Sequence, residues 1–369
     1  MATDITRVYP QLKTLGKYLL EAGSLAEHQR PDALALLTHP ELMSIACIGI
    51  PRQFNPCPAA SCSDINYVHH LQIIEYLSRS DASAMMMLPG ASLSTRAILT
   101  LGTPSQQARF FSCFAQRPAW TFFAVTEPEK GSDATAIHCE LTLQQESGWI
   151  NGTKMFIGGA SDASAGIVFT RYAQSQRLVM VFPEQAGEKM LRERLTTFGL
   201  NGAGLTRITF NHCPVQKDDI LGHDHRGLQQ GLNALSLVFE RHRPMVAAMA
   251  LGTTYGLLTS LENYTLSASA TQWKTRQWRK YHSVYQSMLC IASGFASGRH
   301  QYTQTSQLKL IATQLVEETA RHLPHWLHSK TWSADHALRR KYRDSFAFEY
   351  MEGTSNIHLL TSLRPPQPV

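Results

Sequence analysis

The sequence predicts a mainly α protein with a central β domain. Apolar residues recur at helical spacing before about residue 118 and again after Gly222, while short β-branched or aromatic runs separated by turn residues fill the stretch between. The 369 residues, 43% apolar and 17% charged, also leave room for a large core spread over two or three domains.

In the first segment Leu12, Leu15, Tyr18, Leu19 and Ala22 share one helical face. Ile73, Ile74 and Leu77 predict a second helix, and Leu93, Ala97, Ile98 and Leu101 a third. Pro51, Pro56 and Pro58, with Asn55 and Ser61, mark a loop. From Thr121 the period becomes two. Glu140 to Gln144 alternates, Ser147-Gly148 predicts a turn before Trp149 and Ile150, and Gly152 after Asn151 predicts another. Ile167 to Thr170, Leu178 to Phe182 and Leu205 to Phe210 extend this into an antiparallel sheet region, a small barrel or sandwich. Helical spacing returns at Leu232, Leu235, Val238 and Phe239, at Met245, Ala248, Met249 and Leu251, and at Leu308, Ile311, Ala312, Leu315 and Thr319. With few breakers before Pro365 and Pro366, that is a helical bundle. The expected domains are 1–119, 120–222 and 223–369.

Lys and Arg number 34 against 28 Asp and Glu, a formal net charge of +6. That balance suits phosphate-bearing ligands or an acidic protein partner and is too small to indicate nucleic-acid binding. No window reaches the roughly eighteen apolar residues of a membrane span, and the start has no apolar run behind a basic one. A soluble, cytoplasmic protein without a membrane partner is expected. Cys47, Cys57, Cys62, Cys113, Cys139, Cys213 and Cys290 are scattered and contain no C-x-x-C, so they read as reduced core thiols. His322, His325 and His328 recur every third residue, but Pro324 interrupts them and no acidic or Cys partner accompanies them, so no metal is expected.

Four segments carry chemistry. Phe123-Ala-Val-Thr-Glu-Pro-Glu-Lys-Gly-Ser-Asp133 ends a strand in a Gly131-Ser132 turn whose N–H groups and hydroxyl suit a phosphate or carbonyl oxygen. Asn151 to Ile157 follows a hairpin, Phe239-Glu-Arg-His-Arg-Pro244 opens a long Ala- and Met-rich helix, and Tyr350-Met-Glu-Gly-Thr-Ser-Asn356 lies near the C-terminus. In this order and at these separations they resemble the acyl-CoA dehydrogenase family of flavoproteins. Leu101 to Arg109 and Asp219 to Gly222 add weaker matches, and the resemblance covers about residues 40 to 360.

The resemblance implies an acyl-CoA dehydrogenase-like fold: an N-terminal helical domain, a small antiparallel β-barrel or sandwich, and a C-terminal four-helix bundle. It implies FAD as cofactor. Phe123, Val125, Thr126, Gly131 and Ser132 match the flavin segment, with Thr126 near the ring and Ser132 also on the substrate's pantetheine. Phe156 matches the aromatic residue packed on the isoalloxazine, with Ile157 and Gly158 beside it, and Thr354, Ser355 and Asn356 match a flavin-phosphate contact. Glu240 and Arg243 fall at the substrate-binding helix start; Arg243 orients the loop bearing the base, and Glu240 is expected to pair with Arg243 or to be solvated. Glu352 falls on the catalytic carboxylate and Gly353 on the substrate contact beside it. In some members the base lies instead at the position of His242, which is no carboxylate here.

That chemistry needs these residue types. A thioester's α-proton is weakly acidic, so a carboxylate in a dry site must take it, its pKa raised by burial. The family's enolate donors are a backbone N–H near the base and a flavin ribityl hydroxyl, and hydride passes from the β-carbon to flavin N5. Gly353 lets the substrate approach the backbone. The implied substrate is an acyl thioester on CoA or an acyl carrier protein, within secondary-metabolite biosynthesis. The implied electron acceptor is an electron-transfer flavoprotein or oxygen, and the implied assembly is a homodimer or homotetramer. Oxidation of a β-hydroxyl on a carrier-bound hydroxyacyl or aminoacyl group, or thioester binding without turnover, are the alternatives.

Three departures stand out. Gly158 replaces the usual Thr or Ser, Leu266 to Trp273 lacks the Arg-x-x-Phe-Gly motif, and only Thr331 to Asp335 stands where a Gly-Gly-x-Gly loop holds the adenosine. Lys274, Arg276, Arg279 and Lys280 follow the second gap and offer substitute cations.

Overall fold

The computed structural model describes residues 4–57, 65–131, 133–222 and 231–363. Helices α1 (Ile5–Val8), α2 (Leu12–Ala26), α3 (Arg30–Leu36) and α4 (Pro40–Ala46) precede α5 (Tyr67–Met85), α6 (Leu93–Leu101) and α7 (Pro104–Phe111). The predicted faces deliver the first core: Leu12, Leu15, Leu19 and Ala22 of α2 pack with Ile73 and Leu77 of α5. Local chemistry sets the ends. Asn66 caps α5 by accepting from the His69 N–H, while Ser92 with Thr95 and Thr103 with Gln106 form reciprocal capping boxes on α6 and α7. Inside α5, Asp81 leaves helical geometry (φ −161°, ψ 110°) and its carboxylate accepts from the Ala84 N–H, recapping the last turn. Pro58 and Ser61 of the expected loop lie outside the described residues.

Seven strands follow among the described residues: β1 (Thr121–Ala124), β2 (Glu140–Gln144), β3 (Ser147–Ile157), β4 (Ala165–Tyr172), β5 (Ser175–Val181), β6 (Met190–Arg194) and β7 (Thr206–Gln216). They form one sheet ordered β1-β4-β2-β3-β7-β6, with β5 also on β4. A bridge between Val179 and Ile220 draws the β5 side toward the chain leaving β7, curling the sheet around Phe122, Ile150, Val168 and Ile208.

Three sequence expectations are corrected here. The sheet is mixed, because β4 runs parallel to β1 and β2; the β2–β3 hairpin occupies the connection between β1 and β4, so β4 returns in the same direction as β1. The hairpin turns at Gln145 (φ +57°) and Glu146, since Ser147 and Gly148 already pair with Gln144 and Leu143. Asn151-Gly152 is a bulge within β3 rather than a turn: the β3–β7 register shifts there, and Gly152 takes φ +136° against Cys139.

A four-residue helix, α8 (Pro183–Ala186), lies between β5 and β6. The remaining helices are α9 (Gly231–Ser260), α10 (Ala268–Ala296), α11 (Tyr302–Trp326), α12 (Ser329–Ala334), α13 (His336–Asp344) and α14 (Ser355–Ser362). Helices α9, α10 and α11 pack on one another, and α9 and α10 against α5, around Leu71, Leu251, Tyr281, Met288 and Leu315. Contact between α5 and α9 is close because a Cβ at Gly252 would stand 2.2 Å from the Glu75 carbonyl oxygen, and one at Gly256 2.4 Å from that of Arg79. Contrary to expectation, the stretch Gly231–Asn263 is long and apolar enough to cross a membrane, with a mean hydropathy of 1.2. Its apolar residues are spent on the bundle instead: 78% of that window is buried. The thiols also differ from expectation, since Cys290 is exposed and Cys57 and Cys113 are only partly buried; Cys62 lies outside the described residues.

Candidate active site

The chain leaves a short 3-10 turn, Ala347–Tyr350, and reverses at Glu352 (φ +49°) and Gly353 (φ +104°) before entering α14. A glutamate in left-handed backbone costs about 1–2 kcal/mol and persists only where its surroundings over-determine it. Three groups do so. The Lys309 ammonium of α11 donates to the carbonyl oxygens of Glu349 (3.1 Å) and Gly353 (2.7 Å). Arg243 Nε of α9 donates to the carbonyl oxygen of Glu352 (3.4 Å). The Glu349 carboxylate accepts from the Ser355 N–H (2.8 Å) and hydroxyl (2.5 Å), holding the start of α14.

This clamp leaves the Glu352 side chain only 9% exposed, with Oε2 buried and without a hydrogen-bond partner. Burial pushes its pKa up to about 7, against a smaller opposing pull from Lys309 and Arg243. The price of burial shows in the neighbours too: Lys309 is pushed down to about 8, and His242 and His358 to about 3. His242 Nε2 lies 3.7 Å from Glu352 Oε1, a contact between a neutral imidazole and a carboxyl group at neutral pH. Arg243 is fixed from further sides: it donates to Ser306 Oγ (2.7 Å) and lies over the rings of Tyr302 (4.7 Å) and Phe239 (5.7 Å).

The β-domain side is rigid as well. Lys154 of β3, fully buried, donates to the Val125 carbonyl oxygen (2.8 Å) and to Glu127 (2.9 Å). Glu127 also accepts the N–H groups of His138 (2.7 Å) and Cys139 (2.9 Å), and the Thr126 carbonyl oxygen accepts from Met155 (2.9 Å). Next to Met155, Phe156 takes φ +60° at a β3 irregularity and leaves 52% of its surface uncovered, while Ile157 is buried. Around Gly158 the space is open, the nearest atom to an added Cβ being the Ala203 carbonyl oxygen at 3.8 Å. Gly131 is exposed and Ser132 lies outside the described residues.

Direct contacts join the two halves. Phe123 meets Phe239 edge-on (6.2 Å), Phe239 lies under Arg243, and Arg243 holds Glu352. Asn356 is exposed beside the clamped Ser355, and Thr354 precedes α14 without a side-chain capping bond. Glu240 differs from expectation: it is buried, accepts from the Gln301 N–H and faces His300 Nδ1 (3.2 Å), so it is neither Arg243's partner nor solvated. Lys309, Ser306 and Glu349 escaped the sequence reading. In α11 the apolar spacing around Leu308 and Ile311 draws attention away from Lys309, although Thr305, Ser306 and Lys309 line one buried polar face.

These residues fit a flavin at its ring end. An aromatic face stands uncovered at Phe156, and a carboxylate oxygen is orphaned at Glu352. Of the cations that follow the missing Arg-x-x-Phe-Gly motif, Lys274 lines a groove with Tyr264, Leu266 and Trp278, its ammonium 3.7 Å from Glu262.

Two family models match the chain: acyl-CoA dehydrogenase, middle domain, over residues 122–213, and acyl-CoA dehydrogenase, C-terminal domain, over residues 229–364. The mitochondrial short-chain specific acyl-CoA dehydrogenase of Homo sapiens is 26% identical over 326 residues, covering 81% of this chain and 77% of its own length. A glutaryl-CoA dehydrogenase from Mycobacterium smegmatis, solved in complex with FADH2, superposes with a TM-score of 0.79 at 15% identity, covering 95% of this chain and 93% of that one. The prolyl acyl carrier protein oxidase AnaB gives 0.77 at 16% identity, covering 95% and 97%.

Proposed function

This chain belongs to the acyl-CoA dehydrogenase family, whose members are FAD-dependent oxidoreductases, and from that premise we propose that it dehydrogenates an acyl thioester with Glu352 as the base. One observation carries the assignment: a buried carboxylate oxygen without a protein partner, held by strained backbone at a pKa of about 7. A base poised near the working pH is in the carboxylate form often enough to act and basic enough to accept the proton.

Phe123, Val125, Thr126, Gly131, Ser132, Phe156, Ile157 and Gly158, with Thr354, Ser355 and Asn356, would hold FAD, which when bound supplies the acceptor for the β-hydrogen and its electron pair. The chain's own residues do the rest. Glu352 Oε2 takes the α-proton, and Arg243 and Lys309 keep that oxygen in place through the main chain. Gly353 presents backbone with no Cβ to block a thioester carbonyl. His242, uncharged, packs beside the carboxylate without adding a competing charge. Glu240 secures the chain before α11 through Gln301, which keeps the substrate helix and α11 in register. Residues 1–119, 120–222 and 223–369 serve as helical, flavin-contacting and base-bearing domains.

The thioester is carried by CoA or by an acyl carrier protein in a biosynthetic setting. Support for the carrier comes from AnaB and from FkbI, a protein for biosynthesis of a methoxymalonyl extender unit, among the structural neighbours, and from the basic net charge, since carrier proteins are acidic. Uncovered Leu359, Leu360 and Leu363 at the C-terminal helix support a homo-oligomer. A second reading, oxidation of a β-hydroxyl, draws on the neutral His242 facing the same gap as Glu352.

Purified protein loaded with FAD is expected to be yellow and to bleach with an acyl thioester under anaerobic conditions. Glu352→Gln should keep the colour and lose the bleaching by a factor of at least about 1,000, the loss of one well-placed general base together with its positioning. Bleaching at the parental rate would remove Glu352 from the base role.

A further inference from the structure

Beside the carboxylate lies a cavity whose wall is unexpectedly polar. His70 of α5, Thr95, Arg96 and Leu99 of α6, and His242 and Met245 of α9 line it, and its cavity volume is about 20 Å³, room for the end of a ligand rather than its length. His242 forms the shared wall, because it lines the cavity and also stands 3.7 Å from Glu352. An acyl chain extending beyond the reacting carbons on that side meets Arg96.

Among the described residues no carboxylate lies within ion-pair distance of the Arg96 guanidinium; the charged or polar groups acting on it are Tyr67 and Arg241. Tyr67 is already committed, donating to the Arg241 carbonyl oxygen at 2.5 Å. Arg241 is a second cation, lying over the Phe295 ring at 4.4 Å. Neither histidine supplies an anion, and burial holds both uncharged, at about 3. The cavity therefore contains fixed positive charge and, among the described residues, no paired counter-charge. Removing a guanidinium from bulk water without an anion is unfavourable, and the planar fork is complementary to a carboxylate.

We propose that the acyl group of the substrate ends in a carboxylate received by Arg96, which makes the substrate a short dicarboxylic monothioester. This rests on the thioester dehydrogenase assignment and adds its specificity. At about 20 Å³ the cavity takes the terminal group and no long chain beyond it. His70, Ser92 and Thr95 add polar lining beside Arg96, while Ile48, Ala91, Leu99 and Met245 supply the apolar part.

The test compares binding of matched pairs to the FAD-loaded full chain carrying Glu352→Gln, so that binding is measured without turnover. The CoA thioesters of butanedioic and pentanedioic acids are set against butanoyl- and pentanoyl-CoA by titration calorimetry. Since the CoA phosphates are common to each pair, only the terminal carboxylate differs. The dicarboxylic member is expected to bind about 10- to 100-fold more tightly, the equivalent of one charge-assisted pair. Arg96→Met should abolish that preference while leaving the monocarboxylic Kd within about twofold, and Arg96→Lys should restore part of it. If Arg96→Met does not fold, Arg96→Gln carries the same expectation. Equal affinities within each pair, or equal weakening of both members by Arg96→Met, would overturn the inference while leaving thioester binding intact. A 3-hydroxybutanoyl thioester bound as tightly as the dicarboxylic one would overturn it too, in favour of a neutral oxygen. Failure of every thioester to bind would overturn the underlying assignment along with it.

Discussion

Glu352→Gln removes a charge and keeps a shape, so its effect on folding isolates what burial does to this carboxylate. The group is held at about 7 against an ordinary 4.5. At roughly 1.36 kcal/mol per pH unit, that displacement is worth about 3 kcal/mol. The sign follows from the raised value, since the folded protein binds this proton more tightly than the unfolded chain does. Below about pH 4.5 both states are protonated and the carboxyl costs nothing; the cost grows as pH rises and is complete above about 7. Glutamine carries no charge at any pH. The stability of Glu352→Gln relative to the parent should therefore rise by about 3 kcal/mol between pH 4.5 and 7.5, whatever constant offset the amide introduces. Denaturant unfolding of both proteins at the two pH values measures it as a difference of differences. A relative stability that changes by less than about 0.5 kcal/mol would mean that the carboxylate is solvated in the folded protein, and the base assignment would fall with it. By the same titration, parental turnover should climb with pH until about 7 and then level off.

Lys154→Met should cost about 3–5 kcal/mol in denaturant unfolding, because it strands the Glu127 charge and the Val125 carbonyl, and adding Glu127→Gln should recover part of that loss. Gly353→Ala places a Cβ 3.4 Å from the His358 ring at φ +104°, so about 1–2 kcal/mol of stability and most of kcat should be lost, with thermal unfolding and initial rates as the readouts. Phe156→Ala should leave stability within about 0.5 kcal/mol, since the ring is half exposed, while flavin retained through gel filtration falls several-fold.

The Thr126-Glu127, Phe239 to Pro244 and Met351 to Asn356 segments were legible in the sequence because each is short and keeps its residue types together. The supports of the base were not. Lys309 reaches Gly353 across 44 positions, Arg243 reaches Glu352 across 109, and Lys154 meets Glu127 across 27. A buried lysine amid Leu308 and Ile311 reads as an ordinary helical charge until the fold supplies two carbonyl oxygens for it. The mixed sheet was hidden for the same reason: the β-branched and aromatic run in Ala165–Tyr172 specifies a strand but does not say which neighbours it will have.

Sequence alone determined the helices–strands–helices order, through the two periods of apolar residues, and it placed an acidic residue before a glycine near the C-terminus. Tertiary structure decided what that acid is. Packing α9, α11 and the turn before α14 together withdraws one carboxylate from water and fixes its backbone, and packing α5 and α6 against α9 leaves Arg96 facing a cavity with no paired counter-charge among the described residues. Desolvation and long-range pairing arise only when distant segments meet, so no local pattern of residues encodes them.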